Sequence, residues 1–175
     1  MSTIKNLELN PNTNNRSEIL FITSYPPREC GIATYSQDLI KALNNKFSNS
    51  FSIKVCALES NEDTYAYPDE VKYTLKTSLA ADYEKLAYAI HKDNCIKTVL
   101  IQHEFGFFSL QEQAFQQFLI ALSKPVVIVF HTVLPHPDIL LKEKVQKIAN
   151  ACKSIIVMTN TSSEILMQDY NMAPK

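Results

Sequence analysis

Glycine is scarce in this 175-residue chain: there are 2, where average usage near 7% would give about twelve. Each glycine that remains is therefore informative. An excess of charge is missing too. Seventeen Lys plus Arg stand against eighteen Asp plus Glu, a formal net charge of -1, so the basic face and high pI of a nucleic-acid binder are absent. Cys30, Cys56, Cys95 and Cys152 form no C-x-x-C pair and share no zinc-site spacing with histidine. Separate reduced thiols suit a cytoplasmic protein. The first seventeen residues, Met1 to Ser17, are Asn-rich and polar where a secretory signal needs an apolar segment, and no apolar run approaches the ~20 residues of a membrane span. Secretion and membrane spanning are not expected, whereas peripheral membrane contact stays open.

The hydrophobic share of 46% excludes disordered and fibrous classes. After the polar leader, read as a frayed tail over 1–17, residues 18–175 form one globular domain long enough to bury a real core. Glu18 to Ser24 (EILFITS) reads as a buried strand stopped by Tyr25-Pro26-Pro27. Tyr35, Leu39, Ala42 and Leu43 then fall at helical spacing from Thr34. Strands follow at Phe51 to Leu58 and Val71 to Leu75, around a polar loop from Asn61 to Glu70. Tyr83, Leu86, Ala87 and Ile90 trace the stripe of an amphipathic helix. The alternation continues with a strand at Lys97 to Gln102, a helix marked by Leu110, Ala114, Phe118 and Ala121, and a strand at Pro125 to Phe130. A helix over Leu141 to Ala149, a strand at Ser154 to Met158 and a helix over Thr161 to Tyr170 complete it. Near-continuous apolar strands between amphipathic helices indicate the doubly wound α/β class, a mainly parallel sheet covered on both faces.

In such sheets ligands bind beyond the carboxyl ends of the strands, near the point where strand order reverses. The loops Ser24 to Gly31, His103 to Phe108 and His131 to Pro137 hold both glycines, Gly31 and Gly106, and three of the four histidines. Gly31 stands at a helix entry, where a missing Cβ lets a ligand approach and first-turn N–H groups attract an anion such as phosphate. A second reading, that Gly31 only permits the strand-to-helix turn, stands beside it. The patterns G-x-G-x-x-G and G-x-x-x-x-G-K-[ST] are absent, which counts against NAD enzymes and P-loop NTPases. His103 and Glu104 emerge together at a strand end beside the rare Gly106, a pair that suits sugar hydroxyls, with a structural histidine as the second reading of His103. His131-Thr132 follows an all-apolar strand, where a polar pair is a poor core element. His136 reads as a loop residue and His91 as a helix-end cation, so neither joins the site. Cys30, beside Arg28, reads as a packing residue, and Phe107-Phe108 as a loop anchor.

The blocks ILFITSYPPRECGIATYSQDL, VLIQHEFGFF, PVVIVFHTVLPHP and IIVMTNTSSEIL together resemble the N-terminal half of bacterial group 1, family 4 glycosyltransferases of GT-B fold, from about Glu18 to the end of the chain. This resemblance implies a Rossmann-like, acceptor-side domain of a retaining hexosyltransferase in carbohydrate biosynthesis. Such an enzyme moves a sugar from a nucleotide diphosphate sugar to an acceptor hydroxyl without a metal or other cofactor, in a cleft between two domains. Mannose is the sugar that this branch suggests. By the same resemblance Gly31, with Cys30 and Ile32, lies against the donor diphosphate; Arg28 and Thr132 stand apart as further possible site residues without an assigned role. His131 is the histidine beside the transferring sugar, and His103, Glu104 and Gly106 lie on the acceptor side. Many relatives carry two adjacent glycines where this chain has Cys30-Gly31. The family's Arg, Lys and paired-glutamate signature belongs to a C-terminal domain, and no such signature follows Tyr170, so the chain reads as half an enzyme. Two rival readings are half of a nucleotide-sugar epimerase and a non-catalytic module that binds a sugar or nucleotide.

Overall fold

β-branched and aromatic residues concentrate in short runs of this sequence, and those runs form a six-stranded sheet in which every pairing is parallel. The structure, a computed structural model, describes residues 16–47, 50–60 and 65–173. Most of the expected leader and residues 61–64 of the expected polar loop lie outside them. The strands are β1 (Glu18–Thr23), β2 (Ser52–Glu59), β3 (Val71–Lys76), β4 (Ile96–His103), β5 (Val126–Phe130) and β6 (Ser154–Val157). Among the described residues six α-helices accompany them: α1 (Gly31–Phe47), α2 (Ala80–Lys92), α3 (Phe105–Phe108), α4 (Glu112–Ala121), α5 (Ile139–Ala151) and α6 (Asn160–Gln168).

The strand order is β3-β2-β1-β4-β5-β6, so the chain winds outward in both directions from the β1/β4 pair. Right-handed crossovers running opposite ways along one sheet put their helices on opposite faces, and the core divides accordingly. On one face Leu20 and Ile22 of β1, Val99 and Ile101 of β4 and Ile128 of β5 pack with Tyr83, Leu86 and Ile90 of α2, Phe115 and Phe118 of α4, and Val145 and Ile148 of α5. On the other, Phe21 of β1 and Ile53, Val55 and Ala57 of β2 meet Ile40 of α1. The alternation along β1 is the period-two pleat of a strand buried on both sides. Fully burying one such aliphatic or aromatic side chain contributes roughly 1.5–3 kcal/mol. The expected doubly wound α/β class is the fold observed, although β6 is an edge strand whose Ile156 is 45% exposed.

Two boundaries differ from the sequence reading in ways that bear on the site. Helix α1 begins at Gly31, three residues before its apolar periodicity, because a helix start is set by its cap rather than by its buried stripe. Cys30 fills that place. Its carbonyl accepts from the Thr34 N–H at 3.2 Å and its Sγ from the Ala33 N–H at 3.4 Å. The stretch expected as a loop after β4 contains α3, whose first N–H, on Phe105, donates to the Glu104 carboxylate at 3.0 Å. Four residues are too few to show a helical period, and a 3₁₀ turn at Ser109–Gln111 then delays α4 to Glu112.

Candidate functional site

The carboxyl ends of β1, β4 and β5 lie side by side at the reversal of strand order, where a parallel sheet opens a crevice. Gly31, Glu104, Gly106 and His131 all follow those ends, as expected from the sequence. Strand pleating decides what each side chain meets. Along β4, Gln102 and His103 point to opposite faces. Gln102, fully buried, turns toward the α1 side and its Oε1 lies 2.6 Å from His131 Nε2. The His131 main-chain N–H donates to the His103 carbonyl at 3.1 Å, extending the β4/β5 ladder by one bond. Tyr35 of α1 meets the His131 ring edge-on, with centroids 5.2 Å apart at 90°. The helix that begins at Gly31 is thus in direct ring contact with the histidine after β5. Burial lowers the pKa of His131, against the opposing pull of the Glu104 carboxylate, so the ring is biased toward its neutral form.

The next residue extends the network. Thr132 Oγ1 donates to Glu104 Oε2 at 2.6 Å, while Glu104 Oε1 caps α3. One carboxylate therefore ties the loop after β5 to the loop after β4. At the end of β1, Thr23 Oγ1 and Ser36 Oγ of α1 share a 2.6 Å hydrogen bond, and Ser24 Oγ lies 3.1 Å from Cys30 Sγ. These bonds fix the start of α1 against the sheet.

Gly31 itself does not relieve an internal clash. A Cβ there would meet no atom within 4 Å, and neither glycine has a positive φ. What glycine leaves is open space over the first turn of a 17-residue helix, where the N–H groups of Gly31 and Ile32 find no partner among the described residues. Such an open first turn is the arrangement in which helix N–H groups can meet an anion. Cys30, expected against the same ligand, has its sulfur engaged with Ser24 and the Ala33 N–H instead.

Arg28 lies with its guanidinium 5.8 Å from the Phe107 ring centre. Together with Gly106, Phe107, Ser60, Thr77 and Ser78 it lines a recess of about 140 Å³ beyond β2 and β3. His103 is placed differently from its expected acceptor role. Its ring, 2% exposed, lies among Phe105, Phe108, Phe115 and Phe130 on the opposite face of the sheet. Burial lowers its pKa to about 3, with the Lys144 cation and His131 adding to the effect. The pleat explains the difference: neighbours in a strand cannot both face the cleft, and here Gln102 does. Gln102 had a legible signal, a lone amide ending an otherwise apolar run. Tyr35 and Ser36 had none, because a helical stripe does not reveal which residue meets a neighbouring strand end. His136 is in the loop, 91% exposed, as expected.

The sequence matches no protein-family model and no curated protein sequence. Solved structures do match by shape. An alpha-glucosyltransferase in complex with UDP and a 13-mer DNA containing a HMU base superposes with a TM-score of 0.59 at 13% identity. The match covers 91% of this chain and 41% of that one. An alpha-glucosyltransferase in complex with UDP-glucose and DNA containing an abasic site gives 0.55 at 13% identity over the same shares. A third, in complex with UDP, gives 0.54 at 13% identity, covering 89% of this chain and 38% of its own. The chain shares a fold with these glucosyltransferases. It spans about two fifths of their length. Among the described residues no helix is long and apolar enough to cross a membrane, and no three His, Cys, Asp or Glu gather as metal ligands.

Proposed function

We propose that this chain is the N-terminal, acceptor-side half of a retaining GT-B glycosyltransferase. It would transfer a hexose, with mannose the first candidate, from a nucleotide diphosphate sugar to the hydroxyl of a carbohydrate or glycoconjugate, in the cytoplasm. The observation that carries this reading is the set of groups gathered at the carboxyl ends of β1, β4 and β5: the open helix start at Gly31, the Gln102–His131 bond and the Thr132–Glu104 pair. It occupies the crevice of a fold shared with UDP-bound glucosyltransferases. The N–H groups of Gly31 and Ile32 face the donor diphosphate and oppose the charge that develops on it as the sugar leaves, the role of preorganised donors in transfer reactions. His131, held by Gln102 and Tyr35, lies against the sugar. Glu104 and Gly106, with Arg28 in the adjoining recess, form the acceptor side.

The reading includes no metal or other cofactor, because the main-chain donors and the cations of a second domain supply the charge stabilisation. A carbohydrate acceptor, rather than a nucleic acid, is the reading that the formal net charge of -1 supports. The test is to incubate the longest natural reading frame containing this chain with a panel of nucleotide sugars and oligosaccharide acceptors, with and without DNA, and to detect nucleotide diphosphate release. Release that requires a carbohydrate acceptor supports the proposal. Binding without any release would overturn it in favour of a recognition module, and release only with DNA would overturn the acceptor class.

A further inference from the structure

Gln102 is fully buried, yet one half of its amide has no partner. Its Oε1 lies 2.6 Å from His131 Nε2, while its Nε2 is unpaired in the interior. Turning the amide over would only exchange one orphaned atom for the other, and in this structure it is the oxygen that faces the ring. An amide oxygen can only accept, and therefore the imidazole nitrogen facing it must carry the hydrogen. His131 Nδ1 makes no hydrogen bond to a described residue. Three further contacts hold the ring or its backbone: the edge of Tyr35, the main-chain bond to His103, and the field of the Glu104 carboxylate.

We propose that Gln102 is a positioning residue that locks His131 in the Nε2–H tautomer, so that the neutral ring offers the Nδ1 lone pair to a hydroxyl donor and not to an anion. This rests on the reading of the crevice as a sugar site, and deepens it. A neutral Nδ1 lone pair repels a phosphate oxygen and accepts from an alcohol, so His131 serves the polyol part of the ligand while the α1 start serves the anionic part. The burial that keeps the ring neutral works in the same direction.

The tautomer is read directly by long-range ¹H–¹⁵N NMR of the imidazole nitrogens at a pH where His131 is neutral, on this chain and without substrate. The expected result is a protonated Nε2 and a bare Nδ1 in the wild type. Gln102→Met removes the acceptor and should shift the tautomer ratio about tenfold toward Nδ1–H, the loss that one buried neutral hydrogen bond carries. Backbone amide shifts away from the site should stay in place. Should Gln102→Met not fold, Gln102→Asn, which keeps the amide but withdraws it by one methylene, is read in the same way. A wild-type ring protonated on Nδ1 would overturn the proposal, since the amide would then be reversed and donating. So would a ratio unchanged on removing the acceptor. A tautomer that depends on Gln102, in a full-length protein that transfers no sugar, would support the Gln102–His131 pair and count only against the transferase reading.

Discussion

His103 ends β4 and His131 follows the adjacent β5, and pH separates their roles. The His103 ring is enclosed by four phenylalanines and held at a pKa of about 3 by burial, whereas an unfolded chain would titrate it near the ordinary value of 6.5. The folded state thus binds fewer protons at this residue than the unfolded state at every pH between those values. Stability is complete above the unfolded pKa and falls as pH drops toward the folded one, by about 1.4 kcal/mol per pH unit inside the window. From pH 7 to about pH 4.5 the loss is ~2–3 kcal/mol, a large part of the 5–15 kcal/mol that holds a typical domain together. His103→Phe keeps an aromatic ring in an aromatic shell, with a cavity of about 10 Å³ beside it to take up the change in shape. The variant removes the titration. Urea unfolding of both proteins at several pH values, taken as the difference between them, cancels the carboxylates that they share. The wild type should lose ~2–3 kcal/mol more than the variant over that interval, and any repacking penalty should appear as a constant offset. Parallel pH profiles would refute the reasoning. His103 would then protonate in the folded state and have access to solvent, and a place for its ring on the acceptor side would again be open.

The parallel sheet was legible because each strand is a short apolar run and each helix a stripe, and both periods follow from backbone geometry alone. The gathering of the candidate site residues was legible for a topological reason: residues after β1, β4 and β5 must share one end of a parallel sheet. What the sequence hid is the face on which each side chain emerges. In the pair Gln102-His103 the histidine drew attention as the more reactive type, but one step of the pleat sends it into the phenylalanine shell and turns the amide to His131. Cap chemistry was hidden as well. Cys30 reads as a thiol beside an arginine, and only the geometry of α1 makes it the residue whose sulfur and carbonyl receive first-turn N–H groups. Glu104 likewise joins two loops and caps a helix too short to have a period.

Gly31→Ala should leave stability unchanged or raise it by up to ~1 kcal/mol, because its Cβ meets nothing within 4 Å. The same change should weaken binding of a nucleotide diphosphate to the full-length protein about tenfold or more, measured by calorimetry beside the unfolding curve; unchanged affinity would remove Gly31 from the donor site. His131→Ala in the full-length protein should lower the kcat/KM of the proposed transfer roughly 10²-fold with the fold intact, and wild-type rates would remove His131 from catalysis. These 175 residues alone should unfold cooperatively yet transfer no sugar. The two apolar layers form a core without help from a second domain, but the departing diphosphate would have only the start of α1 to stabilise it. Loss of a single such donor typically costs ~10²–10³ in rate, so removing a whole set of cations leaves no measurable turnover. The chain and the longest natural reading frame are assayed side by side for nucleotide diphosphate release. Comparable activity from the short chain would sink the half-enzyme reading and point to a compact single-domain catalyst, whereas release from the longer form alone would support it.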